Sequence, residues 1–218
     1  MAPMQRRAGG FTLIEVLVAL AAMSLLALMS WRGLDSMAQA QTANRSRGDA
    51  LLTLQTTLTQ WTADLDAVTR FGVATPIDWD GRVLRLTRRG TDDATPVALV
   101  VAWTLRVDAD GPHWLRWQSP PFTTRGGWRE AWSLAASWAQ DGSGDARRSE
   151  VLLMPLNGWQ LAYFRNGAWT PAVSADAMGT LAPLPEGVRV VLDLPPGPSL
   201  AGLITRDWVR PTLNTPKS

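Results

Sequence analysis

The chain offers few residues that could do covalent chemistry, and their types limit what that chemistry could be. It has one histidine, His113, and no cysteine, so thiol nucleophiles, disulfides and iron–sulfur clusters are excluded. His113 could act as a general base, and a Ser-His-Asp set is assembled in space rather than in sequence. It follows Gly111-Pro112 at the start of an expected strand, where a lone histidine is ordinarily a strand-edge residue. No nucleophile elbow, HExxH, Walker loop or GxGxxG is present. Asp78 and Asp80 before Gly81, and Asp108 and Asp110 before Gly111, each resemble a fragment of a calcium loop. Calcium takes roughly six to eight oxygens, and neither stretch carries the closing glutamate. Turn formation explains Asp-x-Asp-Gly without a metal. The expectation is no catalytic residue, no metal and no cofactor, hence no enzyme.

Glu15 poses a different question. Residues 11–31 read FTLIEVLVALAAMSLLALMSW, with Glu15 as the single charge. A helix of that length spans roughly 31 Å, enough to cross a bilayer core. A secretory signal peptide would have a shorter apolar core and a nearby small-x-small site; Ala38-Gln39-Ala40 lies well past the run. Neither that reading nor a plain signal anchor accounts for the acid, which costs about 2.5–3.5 kcal/mol at a membrane helix centre and less near its end. Such an acid calls for a partner. A cut between Gly10 and Phe11 would create one, a charged α-amine at Phe11, four residues from Glu15 on the same helix face. Within one subunit the two could pair; between staggered subunits the pair would mark register.

These residues carry a resemblance. A short leader containing Arg6 and Arg7, then Gly10-Phe11-Thr12-Leu13-Ile14-Glu15, then an apolar helix, resembles the type IV prepilin processing site. The resemblance implies cleavage after Gly10 by a prepilin peptidase, N-methylation of Phe11, and a role for Glu15 in assembly against a neighbour's N-terminus. Arg6 and Arg7 favour a cytoplasmic N-terminus, which would put the body of the protein in the periplasm of a bacterium.

The elements that must position these residues follow from periodicity. Leu34, Met37, Gln41, Asn44, Gly48, Leu51, Leu54, Leu58, Trp61, Leu65 and Val68 share one 3-4 register. One helix is expected from about Phe11 to about Thr69, with Gly33 and Gly48 as bend positions, ended by Phe71-Gly72 and Pro76. Its stretch from Leu51 to Val68 should lie on the globular domain. Beyond residue 76 the pattern is short strands: residues 83–88, 97–107, 113–118, 150–154, 158–165, 168–169, 188–194 and 200–209. Asp108-Ala109-Asp110-Gly111 and Asn166-Gly167 read as hairpin turns. Gly126-Gly127 and the spacing of Trp128, Trp132 and Ala136 suggest a loop with one helical turn, and residues 141–145 a flexible surface loop. The fold class is α+β and pilin-like, with a long transmembrane and amphipathic helix packed on antiparallel sheet.

Charge excludes one class of partner. Arg6 and Arg7 account for the net charge of +2, so the rest of the chain is neutral, and the clustered basic excess of a nucleic-acid binder is missing. Twelve tryptophans read mostly as core. Trp114 and Trp117 fall on opposite faces of one strand, so one of them should be exposed or in a partner contact.

Softer likenesses span most of the chain. Trp31-Arg32-Gly33-Leu34-Asp35 is similar to the J-type minor pseudopilins of type II secretion systems, as are Val151-Leu152-Leu153, the stretch from Trp159 to Phe164, Trp169, Leu184-Pro185-Glu186-Gly187-Val188-Arg189-Val190 and Gly202-Leu203-Ile204-Thr205-Arg206. That family implies a place at the pseudopilus tip in the inner membrane, with the I-type and K-type minor pseudopilins, other pseudopilins and the prepilin peptidase as partners, and no catalysis. Residues 1–10 would be the leader, 11–31 the transmembrane helix, 32–70 its periplasmic extension and 71–218 the β-rich domain. Two rivals stand beside it: a minor pilin of a type IV pilus, and a membrane-anchored periplasmic enzyme with a polar pocket around His113.

Overall fold

The computed structural model describes residues 11–72, 75–90, 97–142, 144–174, 183–197 and 200–211. The first helix, α1 (Leu13–Asp66), is followed by β1 (Ile77–Trp79), β2 (Val83–Arg89), β3 (Ala98–Asp108) and β4 (Gly111–Gln118). A second helix, α2 (Arg125–Asp141), and a short 3-10 helix (Gly144–Ser149) come next. β5 (Glu150–Pro155), β6 (Gly158–Arg165), β7 (Ala168–Pro171), β8 (Gly187–Leu194) and β9 (Gly202–Val209) complete the chain. This is the expected α+β architecture, a long N-terminal helix on antiparallel sheet. By internal packing the chain divides into two units, Met1–Arg47 and Gly48–Ser218. In the first, the described residues are bare helix.

The second unit holds two antiparallel sheets, ordered β1-β2-β3-β4-β5 and β7-β6-β8-β9. Both expected tight turns form: Asp108 pairs with Gly111, and Asn166, at a positive φ of 51°, precedes Gly167 between β6 and β7. That dihedral is one asparagine tolerates better than most residues. The expected strands are all present, and the three-residue β1 is an addition that its length kept out of sight.

Strand alternation sorts the interior into two cores. On one face of the first sheet, Leu84, Leu86, Val101, Trp103 and Trp114 meet Leu54, Trp61 and Leu65 of α1, together with Leu161, Tyr163, Val190 and Trp208 of the second sheet. Trp61 packs edge-on against Trp103 at 5.2 Å and lies 5.4 Å from Trp114. On the other face, Val83, Val100, Ala102, Leu115 and Trp117 meet Ala131, Ala135, Trp138 and Ala139 of α2. The small residues at 131, 135 and 139 let α2 lie close on the sheet. At Gly127 a Cβ would come within 2.9 Å of the Phe122 Cβ.

The helix α2 corrects the expectation of a loop with one turn. It has 17 residues, is capped by the Thr124 hydroxyl accepting from the Gly127 N–H, and ends at Gly142 in the left-handed region, as helix ends often do. Residues 141–145 are therefore not a surface loop: Gly142 is a buried helix cap, and the 3-10 helix starts at Gly144; Ser143 lies outside the described residues. The same helix corrects the reading of the tryptophans. Trp114 and Trp117 do face opposite ways, but both are buried, because each face has its own cover. It also explains why β2 opens with five buried residues in a row rather than alternating.

Two boundaries shift on α1. The helix stops at Asp66 instead of Thr69, because Val68 forms a bridge to Arg88 and the Thr69 N–H donates to the Thr87 carbonyl. Competition from the β2 edge thus ends it before Phe71-Gly72. Burial begins at Leu54; Leu51 is 48% exposed.

Candidate functional site

Gly10, Arg6 and Arg7 lie outside the described residues. Phe11, which would become the new N-terminus, is 86% exposed. Thr12 precedes the first helical residue, Leu13. Its N–H and its hydroxyl donate to Glu15 Oε2 at 3.4 and 3.3 Å, and the Glu15 N–H donates back to Thr12 Oγ1 at 3.4 Å. This reciprocal arrangement is a capping box. Sequence reading singled out Glu15 but missed Thr12 as its companion; the signal was Thr12-x-x-Glu15 ahead of an apolar run. The carboxylate also sits at the positive end of the helix dipole. Glu15 is exposed, and among the described residues no donor reaches its Oε1.

The helix that carries Glu15 shows its apolar side chains to the outside. Ile14, Leu17, Val18, Met23, Leu26 and Met29 are all at least 58% exposed. A window of α1 is long and apolar enough to cross a membrane, and none of it is buried in the protein. Trp31 is 73% exposed, and Asp35 accepts from Gln39 Nε2 at 2.9 Å, one turn further on.

The histidine and the Asp-x-Asp-Gly stretches do not converge on one place. His113 is largely buried, with Nδ1 3.1 Å from the Gly111 carbonyl and 3.5 Å from Asp108 Oδ1. Asp108 Oδ1 also accepts from the Asp110 N–H at 3.0 Å. Asp80 Oδ1 accepts from the N–H groups of Arg82 and Val83 at 2.9 Å, and Asp78 takes Arg85 at 2.6 Å. These carboxylates are spent on their own turns and ion pairs. Among the described residues no group of three His, Asp or Glu side chains could hold a metal ion. Three surface clefts, beside Ala50, Gly187 and Pro121, are lined without His113.

Two polar clusters escaped the sequence reading. Asp64, near the end of α1, is fully buried. Its Oδ1 accepts from Arg88 at 2.5 Å, Arg116 at 2.9 Å and Gln60 at 3.0 Å, and its Oδ2 from Arg116 at 2.7 Å and Trp103 at 3.0 Å. One carboxylate thus ties α1 to β2, β3 and β4. On the opposite face, Glu150 accepts two hydrogen bonds from Arg106 and one from Trp138 Nε1, all at 2.8 Å, which ties β3 and β5 to α2. Five acceptances by one buried acid satisfy it fully. Neither cluster lines any of these three clefts, and both read as fold determinants.

With this geometry in place, the comparison with known families is direct. Residues 5–31 match the family described as the prokaryotic N-terminal methylation motif. No curated protein matches the chain. The motif and the fold together support a type IV pilin-like or pseudopilin protein, anchored to a membrane by its N-terminal helix, and they point to a structural protein rather than an enzyme.

Proposed function

We propose that the chain is a non-enzymatic J-type minor pseudopilin, acting at the tip of the periplasmic pseudopilus of a type II secretion system. A prepilin peptidase cuts after Gly10 and methylates Phe11. The helix then holds the subunit in the inner membrane, with residues beyond 31 in the periplasm, until it joins the I-type and K-type minor pseudopilins and the other pseudopilins. The observation that carries this reading is the methylation motif over residues 5–31, set on a helix whose apolar window is not buried among the described residues. The stretches that bear the J-type likeness lie at the bare helix and on β5, β6, β7, β8 and β9. Glu15 supports the assembly role. Its capping bonds leave one oxygen free for a neighbour's Phe11 amine, and a charge pair is the economical way to keep a carboxylate in lipid.

Two measurements test the proposal. Mass spectrometry of the mature protein should find N-methyl-phenylalanine at Phe11. Deleting the gene in the native host should stop export of type II substrates. Normal export with a defect in surface pili would transfer the chain to the minor pilins of type IV pili.

A further inference from the structure

Each sheet has two edge strands, and three of the four edges are protected against further pairing. β1 has only three residues. β5 carries a register shift opposite Trp114 and Leu115 and ends in Pro155. β7 has four residues and ends in Pro171. Short length, bulges, prolines and charged side chains are the usual means of blunting an edge. β9 has none of the first three, and of its two charges, Arg206 and Asp207, the acid is paired with Arg189. The strand runs eight residues from Gly202 to Val209 in unbroken register with β8, from Gly187↔Val209 to Leu194↔Gly202. Among the described residues nothing pairs with its other side.

The chemistry of that free edge can be read from the ladder. The Arg210 N–H donates to the Glu186 carbonyl. By strand alternation, the backbone groups of residues 208, 206 and 204 also face β8, and those of 209, 207, 205 and 203 face outward. Val209 and Leu203, at the two ends of the outward set, are 70% and 74% exposed. Asp207 is neutralised by Arg189, which pairs with it through two hydrogen bonds at 2.7 and 2.6 Å. Arg206 has no ion-pair partner among the described residues. The edge therefore presents apolar, cationic and apolar positions in that order.

We propose that β9 is a docking edge for an extended segment of another protein, added as a fifth strand, with apolar residues opposite Val209 and Leu203 and an acidic residue opposite Arg206. Main-chain bonds supply the affinity and these three positions the choice of segment. A second copy of this chain fits poorly. Symmetric pairing that uses all four outward positions, 203 to 209, is centred on Arg206 and sets it against the other copy's Arg206, and like charges directly opposite are destabilising. This proposal does not depend on the pseudopilin reading.

The test uses the full chain in detergent micelles and the peptide acetyl-Val-Thr-Thr-Glu-Thr-Thr-Val-amide, which reads the same in either direction. The peptide should slow hydrogen exchange at the outward amides of residues 203, 205, 207 and 209, and a version with lysine in place of glutamate should bind roughly fivefold more weakly. Thr205→Pro, tolerated at an edge, should remove the protection. Arg206→Glu should reverse the preference between the two peptides while leaving the melting temperature unchanged. Equal binding of both peptides, or no protection by either, overturns the proposal. So does protection present without peptide, whether it depends on protein concentration, which gives the edge to a second copy, or is lost on removing residues 212–218, which gives it to the chain's own tail.

Discussion

Glu15 and Asp64 are two acids on the same helix, and their surroundings differ in almost every respect. Asp64 is buried and accepts five hydrogen bonds from side chains of four residues, two of them arginines. Glu15 is exposed, and its donors both belong to Thr12. An acid whose acceptor sites are filled inside the chain can only hold that chain together. An acid half-satisfied on an uncovered apolar helix has capacity left for something outside. The contrast marks Asp64 as a folding residue and is consistent with the assembly role proposed for Glu15.

The sharpest way to break that contrast is at Asp64. Asp64→Asn keeps the shape but leaves Arg88 and Arg116 without their counter-charge in the interior. Removing one partner of a buried charged network costs about 3–5 kcal/mol, a large part of a domain's whole stability. Urea unfolding followed by tryptophan fluorescence should show that loss, with Trp103 beside the mutated group. A loss within about 0.5 kcal/mol, the scale of a neutral surface change, would mean that Asp64 is no more structural than Glu15.

Glu150 is the intermediate case. It is partly exposed and accepts from Arg106 and Trp138 on the α2 face. Glu150→Gln removes the charge while keeping an acceptor, so the expected loss is about 1.5–3 kcal/mol, the range of hydrogen bonds to charged groups. The loss should be local. Amide exchange should speed up in α2 first and leave the Asp64 face protected. Uniform acceleration in both would show that the two cores unfold together.

How much of this could be read from sequence depended on period and on partners. The helix α1, the turns at Asp108–Gly111 and Asn166-Gly167, and eight of the strands follow from local pattern, because side-chain period and turn residues act over a few positions. The helix α2 was hidden by its own glycines: Gly126-Gly127 looked like a loop, while its buried face is built from Ala131, Ala135 and Ala139, residues that carry little hydrophobic signal. The exposed member of the Trp114/Trp117 pair was a wrong inference for the same reason, since it assumed one open sheet face. The Asp64 cluster was out of reach because it joins residues up to 52 positions apart. The Thr12–Glu15 box was within reach, as its spacing is a known helix-start signal.

A pH titration sets an exposed pair against these buried ones. Hydrogen bonds from Arg189, and then its charge, hold the Asp207 carboxyl below its usual value. A carboxyl depressed in the folded state contributes its stability above the unfolded value, about pH 3.9, and loses it as the pH falls through the lower folded value. Wild type should therefore lose stability relative to Asp207→Asn only in acid below about pH 4, and raising the salt concentration should shrink the difference, as it does for exposed pairs. A difference that persists unchanged from neutral to strongly acidic conditions would assign the effect to packing rather than charge.

The smallest expected effect on stability belongs to Glu15. Glu15→Val removes a capping partner at the far end of α1 from the domain core, so urea unfolding of the second unit should change by less than about 0.5 kcal/mol. On the proposed reading, cleavage after Gly10 should also persist, because the cut would fall at Gly10 and Glu15 lies five residues beyond it. What should fail is joining with partner subunits, read by crosslinking or co-purification. The companion change Thr12→Val separates the two demands on the acid: it takes away the hydroxyl that holds Oε2 but leaves the carboxylate for a neighbouring amine. If Glu15 serves only as a helix cap, the two variants should fail alike. If it receives a neighbour's charge, Thr12→Val should assemble far better than Glu15→Val.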